Sequence, residues 1–131
     1  MQGRRFLEVA QRLEREVEEP FVRNRVGRAY YAAYLKARQF CEQHLGYART
    51  KSSREHQEVP PLIRAMDPNI VVKLALLRKY RNAADYEMDI SIDAITHNAE
   101  DGEAFAIEII ARLDELAAER ESLTDSPNID G

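Results

Sequence analysis

From Phe21 to Leu45 apolar side chains return every three or four positions without a break: Val22, Val26, Ala29, Tyr30, Ala33, Ala37, Phe40 and Cys41. That spacing lays them along one stripe of an α-helix of about six turns. A strand cannot present it, because strand side chains alternate with a period of two. Three further segments carry the same signature. Phe6, Ala10, Leu13 and Val17 form a stripe between Gly3 and Glu18; Ile70, Leu74, Leu77 and Ala84 form another; and Ile95, Phe105, Ile109, Leu113 and Leu116 form the last. Four substantial helices with one apolar stripe each bury those stripes against one another, so the expected fold is all-α, an antiparallel bundle.

The punctuation between stripes sets the expected boundaries. Pro20 ends the first helix or opens the next. Gly46 to Ser53 reads as a polar connection, with Ser53 placed to cap a short helix carrying Glu55 to Val59. Pro60-Pro61 should then bend or restart the chain. Asp67-Pro68 is a strong start signal, with Asp at the N-cap and Pro at the first helical position. The polar stretch Glu87 to Ser91 precedes the last helix, whose early part Gly102 weakens. A chain of 131 residues is the size of one domain, read here as residues 1–122 with a disordered tail over 123–131.

Charge narrows the range of partners. The formal net charge of −4 argues against a general polyanion binder, but it averages a basic segment with an acidic one. Residues 21–60 carry 8 basic and 3 acidic side chains, whereas residues 101–131 carry 2 and 9. No apolar run approaches the ~20 residues a membrane span needs, so no membrane partner is expected. One cysteine, Cys41, excludes an internal disulfide and fits core packing next to Phe40. The N-terminus has charges where a signal peptide has an apolar core, which points to the cytoplasm.

Two features break the pattern. Arg81 falls inside the apolar stripe of its helix, between the directions of Leu77 and Ala84, with Arg78 at the border and Asp85 one turn on. A core-facing arginine needs a partner. It either pairs with Asp85 across i,i+4 or faces a cleft that takes an anion. On the outer face of the long helix Asn24, Arg28, Tyr31, Leu35 and Arg38 line up, either as a solvated surface or as a partner interface centred on Tyr31 and Leu35.

The histidines His44, His56 and His97 show neither i,i+4 pairing nor neighbouring cysteines, so no metal or cofactor is expected. His56 reads as a surface residue in a basic connection, with a proton carrier as the alternative. His97, one turn after Asp93, reads as an exposed helix pair.

Two segments together resemble a known family. Gly27-Arg28-Ala29-Tyr30-Tyr31-Ala32-Ala33-Tyr34 and, fifty residues later, Leu77-Arg78-Lys79-Tyr80-Arg81-Asn82-Ala83-Ala84-Asp85-Tyr86 resemble the small bacterial and archaeal branch of the HEPN domain, over residues 4–120. That resemblance implies a four- to five-helix bundle that forms a homodimer, acts in toxin–antitoxin or antiviral defence systems, and is often encoded beside a minimal nucleotidyltransferase.

Many HEPN members are metal-independent ribonucleases whose active site resembles an Arg–polar–x3–His pattern, with copies from two protomers facing one cleft. Arg81 and Asn82 match the first two positions, while Tyr86 holds the place of the histidine. Metal-free RNA cleavage needs a base for the 2′-hydroxyl, an acid for the leaving oxygen and a cation on the phosphate. A free tyrosine is only about one part in a thousand ionised at neutral pH. The expected catalytic site is therefore Arg81 and Asn82, with Tyr86 or His56 moving protons, Arg28, Arg78 and Arg81 on RNA phosphates, and Asp85 as a site residue or a structural pair. The alternative is a non-catalytic dimeric module that docks a nucleotidyltransferase or other effector through Tyr31 and Leu35 and binds RNA or a nucleotide.

Overall fold

The computed structural model describes the backbone of residues 2–49 and 54–125 and the side chains of residues 19–49 and 54–123. Four helices make up nearly all of it: α1 (Gln2–His44), α2 (Glu55–Arg64), α3 (Pro68–Tyr86) and α4 (Ile92–Asp125). The described residues contain no strand, and the chain is an all-α helical bundle.

The apolar stripes meet as their spacing requires. Val26, Ala33, Ala37 and Cys41 of α1, Val59 and Ile63 of α2, Leu77 of α3, and Ile109 and Leu113 of α4 are sealed from solvent. Each fully buried Val, Leu or Ile among them stabilises the fold by about 1.5–3 kcal/mol relative to exposure. Burial also pushes the Cys41 thiol up to about 11, with Glu42 adding to the shift, so it behaves as an inert core group. The stripe of Phe6, Ala10, Leu13 and Val17 belongs to α1, but those side chains lie outside the described residues.

Cross-helix pairs give the directions. Arg25 pairs with Glu103, Lys36 with Asp114, and Arg120 donates to the His44 carbonyl, so α1 and α4 ascend together. Asp67 pairs with Arg112 and Lys73 with Glu108, so α3 descends against α4. Because α2 is a single short helix, α3 is antiparallel to both long helices and leaves α1 and α4 parallel to each other.

The prolines behave differently from the expectation. α1 runs through Pro20, and α2 runs through Pro60 and Pro61. An interior proline forfeits a backbone hydrogen bond and costs about 3 kcal/mol, which other contacts offset here. Around Pro20 the Arg23 guanidinium binds Glu19 at 2.8 Å, and Val22 and Val26 beyond it are buried. Around the double proline Val59 and Ile63 are anchored in the core.

Arg54, without a side-chain cap, takes the N-cap place of α2 expected for Ser53, which lies outside the described residues. α3 starts as its signal predicts: the Asp67 carboxylate accepts from the Asn69 N–H at 3.0 Å, with Pro68 in the first turn. Ser91 caps α4 by accepting from the Ala94 N–H. α4 runs through Gly102. The glycine admits α3, since a Cβ there would lie 3.0 Å from Leu77 Cδ2. α4 continues to Asp125 because nothing before Pro127 breaks it; residues 126–131 of the expected tail are outside the described residues.

Candidate functional site

The two motif segments pack against each other. Tyr30 and Tyr34, one turn apart on α1, are buried with their rings stacked at 5.9 Å. Their apolar bodies belong to the core, yet a buried phenol needs a partner for its hydroxyl. α2 supplies both partners from adjacent residues. The Tyr30 hydroxyl is 2.6 Å from His56 Nδ1, and the Tyr34 hydroxyl donates to Glu55 Oε2 at 3.1 Å. The His56 ring stacks on Tyr34 at 4.3 Å. His56 is thus half-buried and held on both sides, which overturns its reading as a surface residue.

Glu55 is the one buried charged side chain among the described residues. Besides Tyr34 it is bound by Arg38 at 3.4 Å and Arg49 at 3.0 Å. The sequence reading missed this carboxylate, and it set Arg38 on the outer face, whereas Arg38 turns inward to Glu55. The signal available was the pair of tyrosines on the core stripe, whose hydroxyls require acceptors.

α3 forms the other wall. The Arg81 guanidinium lies over the Tyr30 ring at 4.9 Å and the Tyr31 ring at 5.6 Å, a cation–π placement. It donates to the Tyr31 hydroxyl at 3.3 Å and to Asn82 Oδ1 at 3.4 Å. Its Nε is 3.8 Å from Asp85, an ion pair without a hydrogen bond. The expected Arg81–Asp85 pair therefore exists but is loose, and the aromatic rings of α1 hold the guanidinium as well.

Two depressions flank this cluster, and Arg81 lines the smaller of them. The larger, of about 930 Å³, is lined by residues including Tyr30, Tyr34, His56, Arg64, Arg78, Lys79, Asn82 and Tyr86. The smaller, of about 570 Å³, is lined by Arg23, Asn24, Gly27, Arg28, Tyr31, Arg81 and Asp85. Tyr86 is 76% exposed at the rim. Tyr31 and Leu35 remain exposed on α1, as expected of that face.

The charge distribution singles out these depressions. Lys36, Lys73, Arg25, Arg38, Arg49 and Arg112 all pair with carboxylates. Arg23 is committed to Glu19 and to the Ala84 and Glu87 carbonyls, closing the C-terminus of α3. Among the described residues, Arg28, Arg64, Arg78 and Lys79 have neither an ion pair nor a side-chain hydrogen bond, and all line one of the two depressions.

The same charges act on the tyrosine–histidine pair. Burial first, then Arg78 and Arg81, hold the His56 imidazole below its usual range, with Glu55 opposing. Burial raises the Tyr30 phenol against the pull of Arg78 and Arg81. Both groups are neutral at pH 7.

The other histidines lie apart from these depressions. His44 rests against Phe40, and His97 pairs with Asp101, one turn after it rather than with Asp93 before it. Among the described residues no cluster of His, Cys, Asp or Glu is arranged to hold a metal ion, and no described helix is long and apolar enough to cross a membrane. Comparison of the chain with protein-family models, with curated proteins and with solved structures found no match.

Proposed function

We propose that the chain is a HEPN-type domain of a toxin–antitoxin or antiviral defence system that binds RNA phosphates in this cleft and cleaves RNA without a metal, as a cytoplasmic homodimer. The observation that carries the reading is the gathering of unpaired cations around a neutral histidine. A cation with no carboxylate nearby is available to a phosphate, and a polyanion is steered to where such cations cluster. Arg78 and Arg81 bind and stabilise charge on the phosphate, Asn82 orients it, and His56 handles the proton in place of the motif histidine. Arg28 extends the contact beyond Arg81, and exposed Tyr86 lies against the substrate at the rim. The reading gains support from the packing of the two HEPN-like segments on each other through Tyr30, Tyr31 and Arg81.

The test is incubation of the purified protein with total RNA in EDTA. Cleavage that falls about 10²–10³-fold in Arg81→Ala, and likewise in His56→Ala, is the expected result. An Arg81→Ala protein that cuts as well as wild type refutes the reading.

A second reading is favoured by a separate observation. Phe21, Tyr31 and Leu35 of α1 are 58%, 49% and 39% exposed, and large apolar side chains on one helix suit a partner surface. In this reading the bundle dimerises and docks a nucleotidyltransferase or other effector without cutting RNA. Unchanged association in Tyr31→Ser/Leu35→Ser protein, measured by sedimentation and co-purification, would rule it out.

A further inference from the structure

The two ring nitrogens of His56 have different surroundings. Nδ1 is 2.6 Å from the Tyr30 hydroxyl, whereas Nε2 has no hydrogen-bond partner among the described residues and is not among the sealed polar atoms, and the residue lines the larger cavity. At 2.6 Å an oxygen and a nitrogen share a proton, and it belongs to one or the other.

The chemistry favours the phenol as its source. A phenol O–H is a much stronger acid than the N–H of a neutral imidazole, and the imidazole lone pair is a much better acceptor than the phenol oxygen. The Arg81 guanidinium over the Tyr30 ring strengthens the phenol as a donor. Tyr34, stacked on His56 and tied to Glu55, keeps the imidazole in plane for that bond.

We propose that Tyr30 donates to Nδ1 and thereby holds neutral His56 as the Nε2–H tautomer, so that the ring presents a hydrogen-bond donor to an anion in the cavity. Tyr30 is a positioning residue acting through His56. The assignment rests on the phosphate-cleft reading for its ligand but concerns a bond that exists without one. It puts His56 on the acid side of the chemistry, donating toward phosphate oxygens, as a neutral histidine does where its pKa is lowered. The groups that face His56 are Tyr30 and Tyr34 of α1, Glu55 of its own helix, and Arg78 and Arg81 of α3. Of these Glu55 is an anion, bound by Tyr34, Arg38 and Arg49, and Glu87 at the C-terminus of α3 is the carboxylate that lines the cavity. Phosphate binding at His56 therefore persists at pH 8, where an imidazolium is gone.

The experiment is ¹H–¹⁵N NMR of the imidazole in ¹⁵N-histidine-labelled full-length protein at pH 8, in wild type and Tyr30→Phe, with inorganic phosphate as the probe. The expected wild-type spectrum has a protonated Nε2 and an unprotonated Nδ1. Phosphate should shift the Nε2–H resonance, while Tyr30→Phe, which keeps the ring, should mix the tautomers and weaken phosphate binding about tenfold. His56→Gln, which retains an N–H donor, should bind phosphate better than His56→Ala. A protonated Nδ1 in wild type, or a tautomer unchanged in Tyr30→Phe, overturns the assignment whatever the protein does to RNA. A protein with the Nε2–H tautomer that cuts no RNA supports the assignment and refutes the proposed cleavage.

Discussion

The Tyr30 hydroxyl and Nδ1 of His56 meet at 2.6 Å, joining the longest helix of the bundle to the shortest across 26 residues of chain. Over the Tyr30 ring lies Arg81 of α3. One tyrosine thus touches both the group proposed to handle a proton and the cation proposed to hold the phosphate. What happens at Arg81 is felt at His56.

That coupling sets the first prediction. Arg78 and Arg81 both depress the His56 imidazole through their charges, behind burial as the larger cause. Arg81→Ala should raise the His56 pKa toward its ordinary value of about 6.5, followed by NMR titration of the imidazole. Because the folded value is the depressed one, charging His56 costs the folded state. Its contribution to stability is complete above the ordinary pKa and is lost as the pH falls through the lowered one. A titration identical in Arg81→Ala and wild type would remove the electrostatic link.

Glu55 should be the most sensitive polar position in the bundle. The residue is 5% exposed and its carboxylate receives Tyr34, Arg38 and Arg49. Glu55→Ala leaves the Tyr34 hydroxyl and the Arg38 guanidinium without that acceptor, and should cost on the order of 3 kcal/mol in urea unfolding. Arg49→Ala should cost far less, since the Arg49 side chain is 48% exposed and its charge stays solvated. Equal losses from the two variants would contradict the buried-hub account.

Acid should act on the Asp67–Arg112 contact. Asp67 caps α3 and accepts from Arg112 Nε at 2.9 Å, and that hydrogen bond is the main reason its carboxyl lies below the usual range. The stabilisation is present above the ordinary aspartate pKa of about 4 and is lost as the pH falls through the depressed value. Asp67→Ala should lower stability at neutral pH by about 1 kcal/mol and flatten the acid limb of the stability curve. An acid limb with unchanged slope would show that other carboxylates set it.

Two glycines should respond in opposite directions. At Gly27, in the middle of α1, a Cβ meets nothing within 4 Å, so Gly27→Ala should stabilise by up to about 1 kcal/mol through helix propensity. Gly46 follows α1 at a φ of 69°, where an L side chain is strained, and Gly46→Ala should cost about 1–2 kcal/mol. Thermal melts of both variants give the signs directly.

The fold was legible because the long stripes are regular. Val26, Ala33, Leu77 and Ile109 sit where a period of 3.6 places them. Pro20 and Pro60-Pro61 misled because local breaking rules do not weigh the buried residues on either side. At the site, Arg81 stood out in sequence as a charge on an apolar stripe. Its further partners, Tyr30 and Tyr31, were hidden because ring contacts between helices fifty residues apart leave no trace in spacing. Glu55 was invisible for the same reason: nothing local distinguishes a buried glutamate in a first helical turn from an exposed one. Arg64 and Lys79 were overlooked because an unpaired cation is recognised only once the paired ones are known.

The central claim is that the unpaired cations of the larger depression mark an RNA-phosphate cleft. Its most direct test is the salt dependence of binding to a short single-stranded 2′-O-methyl RNA, which resists cleavage, by fluorescence anisotropy. Compared with wild type, Arg64→Ser/Arg78→Ser/Lys79→Ser protein should bind more weakly, and its slope of log affinity against log salt should be shallower by about 2. The same affinity and slope in both proteins would contradict the account.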